Sequence, residues 1–132
     1  MSNSQVRVAV VEDNGMARAN LRSHLSDMGF NDIYCFSNGR ELKAHLRVRK
    51  VDLLLMDFHL GQHKNGVEII QDLQKEGTVK QSTSILFITS DRLPMIVGQI
   101  VDVHPDALVI KPYTIKNLGK NIASCLNLRS YM

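Results

Sequence analysis

The chain has 132 residues, 44% of them hydrophobic and 22% charged, with a formal net charge of +3. That length suits one domain with a single sizeable core, and the small basic excess, densest in "RVRK" at 47–50, falls short of a nucleic-acid-binding surface. Two cysteines make no disulfide framework, no stretch approaches the ~20 apolar residues that span a bilayer, and no export pattern opens the chain, so reduced thiols and a cytoplasmic, membrane-free setting are expected.

Apolar runs and helical patterns then alternate to the end of the chain. "VRVAVV" (6–11) reads as a buried strand, and in 14–29 Met16, Ala17, Leu21, Leu25 and Met28 recur at helical spacing until Gly29 stops the helix. "DIYCFS" (32–37) is a second strand, after which Asn38 can cap a helix through 39–49 with Leu42 and Leu46 inward. "VDLLLM" (51–56) is the third strand; a polar, Gly-containing loop (58–66) leads to a helix over 67–77 carrying Ile69, Ile70 and Leu73. "TSILFIT" (83–89) is the fourth strand. A helix over 92–103 follows, with Pro94 in its first turn and Leu93, Ile96, Val97 and Ile100 as its core stripe; Ser90 or Asp91 is its expected cap. "DALVI" (106–110) and a helix over 114–128, through Ile115, Leu118, Ile122 and Leu126, close the pattern. Uniformly apolar strands alternating with helices predict a doubly wound α/β domain with a parallel sheet, a single domain over 1–132 with its core at about 5–128.

In such a sheet ligands bind outside the carboxyl ends of the strands. Those ends carry Glu12 and Asp13, Asp57, Thr89 and Ser90, and Lys111. Asp57 stands at the end of a run made for burial, where an isolated ionised carboxylate is costly and needs a counter-charge. Hard carboxylate oxygens completed by water and a phosphoryl oxygen suit Mg²⁺, which would let Asp57 stay ionised beside Glu12 and Asp13. Asp57 is then a candidate nucleophile toward phosphorus, with the Thr89 hydroxyl and the Lys111 ammonium available to the phosphoryl oxygens.

Four segments, "VVED" (10–13), "LLLMD" (53–57), "LFITS" (86–90) and "VIKP" (109–112), fall in order at strand ends, and with them the chain resembles a response-regulator receiver domain of two-component signalling. The resemblance implies the CheY-like (βα)₅ fold with strand order 2-1-3-4-5. It implies Asp57 as phosphoacceptor, Mg²⁺ held by Glu12, Asp13, Asp57 and the backbone carbonyl of His59, Thr89 as switch hydroxyl and Lys111 as phosphoryl-binding cation. Lys111–Pro112 is the matching candidate for the cis bond of the family. His59 and Asp91 occupy positions that tune acyl-phosphate lifetime. The implied partners are a sensor histidine kinase or phosphotransfer protein, and a downstream effector or fused output domain. The domain is then a signalling switch rather than an enzyme, with self-phosphorylation and self-dephosphorylation chemistry of its own.

Two positions depart from the family pattern. Gly61 stands where Pro is common, in a loop one residue longer than usual, so a mobile loop is expected; Leu108 replaces the usual aromatic residue.

Other readings meet obstacles in the same residues. A receiver-like fold silent in phosphorylation, acting as a protein-binding module, would not need all five site residues. A small Asp-nucleophile phosphohydrolase usually has a second carboxylate where His59 stands. A flavin or nucleotide module would not open with the acidic turn "EDNGMAR". His59 and His63, four apart, lie in a loop rather than on the helix a zinc pair needs.

Overall fold

The computed structural model describes residues 2–61, 63–79 and 81–130. After a short 3₁₀ turn (Asn3–Gln5) the order is β1 (Arg7–Val11), α1 (Gly15–Asp27), β2 (Asp32–Phe36), α2 (Gly39–Leu46), β3 (Leu53–Asp57), α3 (Gly66–Glu76), β4 (Ser84–Thr89), α4 (Pro94–Asp102), β5 (Ala107–Ile110) and α5 (Ile115–Ser130). The strands form one parallel sheet in the order β2-β1-β3-β4-β5. The chain reverses its direction of winding beside β1 and β3, the crevice where doubly wound sheets bind ligands.

Side-chain alternation along each strand builds two cores. Val8 and Val10, Leu53 and Leu55, and Leu86 and Ile88 pack with Leu21 and Leu25 of α1 and Leu118 and Ile122 of α5. Ala9 and Val11, Leu54 and Met56, and Ile85 and Phe87 pack with Leu42 of α2, Ile70 and Leu73 of α3 and Ile100 of α4. Continuing the two-residue period past the last apolar position assigns Glu12, Asp57 and Lys111 to the α1/α5 face, and Thr89 to the other. Three charged side chains thereby converge because of parity alone.

Local chemistry sets the helix ends. The Asn14, Asn38 and Asn65 side chains accept the N–H groups of Ala17, Glu41 and Glu68, and Glu68 returns a bond to the Asn65 N–H. Gly77, at φ +70°, stops α3.

The structure corrects several details of the sequence reading. Helix α4 starts at Pro94, because the residue before proline disfavours helical geometry; Leu93 is extended at φ −62°, ψ 131° and exposed rather than part of a core stripe. Neither Ser90 nor Asp91 occupies the cap position; the Asp91 carboxylate instead accepts the Leu93 N–H at 3.0 Å. Met16 is 77% exposed, since it lies roughly 140° around the helix from Leu21. Ile115, the first residue of α5, is exposed one turn ahead of buried Leu118, and α2 ends at Leu46, leaving Val48 in solvent.

Gly66 opens α3 directly against the end of β3. A Cβ there would lie 2.3 Å from the Asp57 carbonyl oxygen and 2.8 Å from Met56 Cγ, and the Gly66 N–H donates to the Phe58 carbonyl at 2.8 Å. Gly66→Ala should therefore cost about 1–3 kcal/mol through overpacking against backbone. A lower urea midpoint at unchanged m-value is the expected result.

Candidate functional site

Glu12 follows β1, its backbone N–H held by the Phe36 carbonyl at 3.0 Å, and its side chain is buried. Asp57 is the last residue of β3 and its side chain is 12% exposed. Lys111 extends β5 by one residue, its N–H donating to the Thr89 carbonyl at 2.8 Å, and its bond to Pro112 is cis. The Lys111 ammonium donates to Glu12 Oε1 at 2.8 Å and to Asp57 Oδ2 at 3.5 Å. Asp13 completes the rim: one oxygen each from Glu12, Asp13 and Asp57 lie within 4.8 Å of one another.

The electrostatics follow from this crowding. Burial, reinforced by the neighbouring Glu12 carboxylate, pushes Asp57 up to about 7, with Lys111 working against the rise. Burial also works to raise Glu12, but the Lys111 ammonium and the proton of Asp57 outweigh it and hold Glu12 below the usual range. Burial likewise disfavours the Lys111 charge, and the two carboxylates overcome it and raise Lys111. Three hard oxygen donors in reach of one another form a donor set that fits Mg²⁺.

Thr89 is fully buried, and its hydroxyl oxygen accepts the Asp91 N–H at 3.2 Å, which ties it to the loop leaving β4. Across the mouth of the site, His59 Nε2 and Asp91 Oδ2 meet at 2.7 Å, joining the loop after β3 to the loop after β4. The His59 contact, followed by the Leu93 N–H, lowers Asp91 below the usual carboxylate range. Leu108 packs into the core formed with α2, α3 and α4.

The loop after β3 is pinned at both ends rather than loose throughout. Phe58 and Leu60 are buried, and Gly66 is locked against β3. Gly61 has φ +68°, and a Cβ there would sit 3.2 Å from the Asp13 carboxylate. Proline, fixed near φ −65°, cannot occupy this conformation, so the departure at residue 61 belongs to the path of the loop. Gln62 lies outside the described residues.

Sequence reasoning passed over Arg18. Its guanidinium donates to the Glu12 carbonyl at 2.8 Å and the Asp13 carbonyl at 3.4 Å, bracing the backbone that presents both acids. The signal was a cation in the first turns of the helix that follows the acidic pair.

Asp57 gives the metal-free protein a specific pH dependence. Its folded pKa, about 7, lies above its ordinary value of 3.8, so the folded state holds the extra proton. The stability this contributes is complete below about pH 4 and is lost as pH rises through about 7, on the order of a few kcal/mol. With chelator present, the thermal midpoint of Asp57→Asn should match wild type most nearly below about pH 4, and exceed it by a margin that widens between pH 5 and pH 8. Equal midpoints at both values would refute the assignment.

Comparisons with known proteins bear on the family and the fold. Residues 8–123 match the family described as response regulator receiver domain. The transcriptional regulatory protein AruR of Pseudomonas aeruginosa is 30% identical over 85% of this chain and 46% of its own length, and CrdR of Helicobacter pylori is 22% identical over 93% and 56%. The chain thus spans about half the length of these curated relatives. A CheY-like receiver domain from Methanospirillum hungatei superimposes with a TM-score of 0.85 at 17% identity, covering 96% of this chain and 97% of that one. The chemotaxis protein CheY4 of Vibrio cholerae does so at 0.82 and 22%, covering 92% and 98%. With the family match running through every strand of the sheet, the chain belongs to the response-regulator receiver domains, the phosphoacceptor switches of two-component signalling.

Proposed function

We propose that Asp57 accepts a phosphoryl group from a phosphohistidine on a partner sensor kinase or phosphotransfer protein, with Mg²⁺ held by Glu12, Asp13, Asp57 and the His59 backbone carbonyl. The observation that carries this reading is a carboxylate at a buried strand end, set between two further carboxylates and one ammonium. Bound Mg²⁺ supplies the positive charge that keeps Asp57 ionised and balances the phosphoryl oxygens.

One Asp57 oxygen attacks phosphorus, the phosphorus–nitrogen bond breaks, and its electron pair returns to the imidazole nitrogen of the donor. Lys111, kept charged by its carboxylate neighbours, turns from Glu12 toward a phosphoryl oxygen. Thr89 keeps its hydroxyl proton free to donate, because its oxygen is the acceptor in the bond from Asp91. Drawing that hydroxyl toward the acyl phosphate pulls on the loop into α4. Leu93, Met95 and Val101 stand exposed there, and a change in their presentation to an effector or output domain is a population shift set by differential contacts.

Incubation with a small-molecule phosphodonor, read by intact mass, tests the acceptor. Wild type should gain one phosphoryl group only with Mg²⁺, and Asp57→Asn none; a gain in the variant would move the acceptor elsewhere.

The contact between His59 and Asp91 bridges the two loops at the mouth, and in this reading it restricts the approach of water to the acyl phosphate. His59→Ala and Asp91→Ala should each release phosphate severalfold faster from the phosphorylated protein. If the two act as one unit, the double variant releases no faster than either single one, whereas additive effects would separate them.

A further inference from the structure

Away from the rim, a groove of about 430 Å³ runs between α2 and the start of α3. Arg40 and Lys43 of α2 and Arg47, the helical-geometry residue that caps it, line one side at the three- and four-residue spacing that aligns side chains along a helix, and His63 and Lys64 face them. Exposed Ala44 gives it an apolar floor, with Ile69 buried beneath, and no carboxylate belongs to its lining.

The charges divide into two kinds. The Lys43 and Lys64 ammoniums share one oxygen of Asp72, each at 2.7 Å, with Glu76 4.0 Å from Lys43 and Glu68 acting on Lys64 at longer range. The two lysines hold Asp72 down to about 2, and it in turn positions them. Arg40 and Arg47 have no ion-pair partner among the described residues. Two turns of helix separate their backbones by about 10.5 Å, with the apolar floor between them. Guanidinium forks match phosphate oxygens bidentately, and the volume lies in the range of small-molecule sites.

We propose that this groove binds a phosphorylated small molecule of nucleotide size, its phosphates on the arginines and the lysine pair and its ring against Ala44 and the aliphatic stems of the arginines. The test is titration of the isotopically labelled chain, in chelator, with inorganic pyrophosphate and separately with ADP, followed by amide shifts. Both probes should perturb Gly39, Arg40, Ala44 and Lys64 saturably, ADP binding the tighter.

In Arg40→Gln/Arg47→Gln, which alters two exposed side chains without an ion pair among the described residues, affinity should fall about tenfold or more. Asp72→Asn, which frees both lysines, should bind severalfold more tightly. Absence of saturable binding at millimolar probe, undiminished affinity in the double arginine variant, or shifts centred on Asp57 would overturn the site. Equal affinity for the two probes would overturn the nucleotide assignment, and unchanged or weaker binding by Asp72→Asn would remove the lysines from it.

Discussion

The burial of two carboxylates beside one ammonium is the constraint from which the rest of this molecule follows. Glu12 and Asp57 would each be costly alone at the end of an apolar strand. Lys111, 2.8 Å from Glu12 and 3.5 Å from Asp57, meets that cost only in part, because one cation faces two anions. The unfilled portion appears as the proton that Asp57 keeps to about pH 7, and it is the same electrostatic deficit that a divalent cation is suited to fill.

Parity explains how so remote a set of residues comes together. Positions 12, 57 and 111 share no local sequence, yet each follows a run of strand residues whose alternate members face α1 and α5. Parallel pairing in register then stacks the strand ends side by side. Thr89, of opposite parity, leads to the α4 side, and its bond to Asp91 links the chemistry to the loop that α4 hangs from. A phosphoryl group accepted at Asp57, as proposed, would thus lie within reach of both faces of the sheet.

The strands and the acidic rim were legible in the sequence because both rest on short-range rules: apolar runs for buried strands, and charged residues at their ends. What escaped notice depended on angles and on neighbours distant in sequence. Met16 looked like part of the α1 stripe until its rotation from Leu21 is counted, and Leu93 looked helical although Pro94 forbids it. Arg18 showed only as a cation early in the helix after the acidic pair, and the carbonyl oxygens it binds are displayed by no residue pattern. The pairing of His59 with Asp91 bridges 32 positions, and only the juxtaposition of two loops reveals it.

Gly61 and Gly66 together set the path of this loop. One needs a left-handed backbone beside Asp13, and the other admits no side chain against β3, so each fixes the loop against a neighbour. A proline at 61 becomes acceptable only along a different path, which a different number of residues would have to trace. Loop length and residue 61 are therefore one character, and a variant that exchanges either without the other meets a backbone it cannot follow.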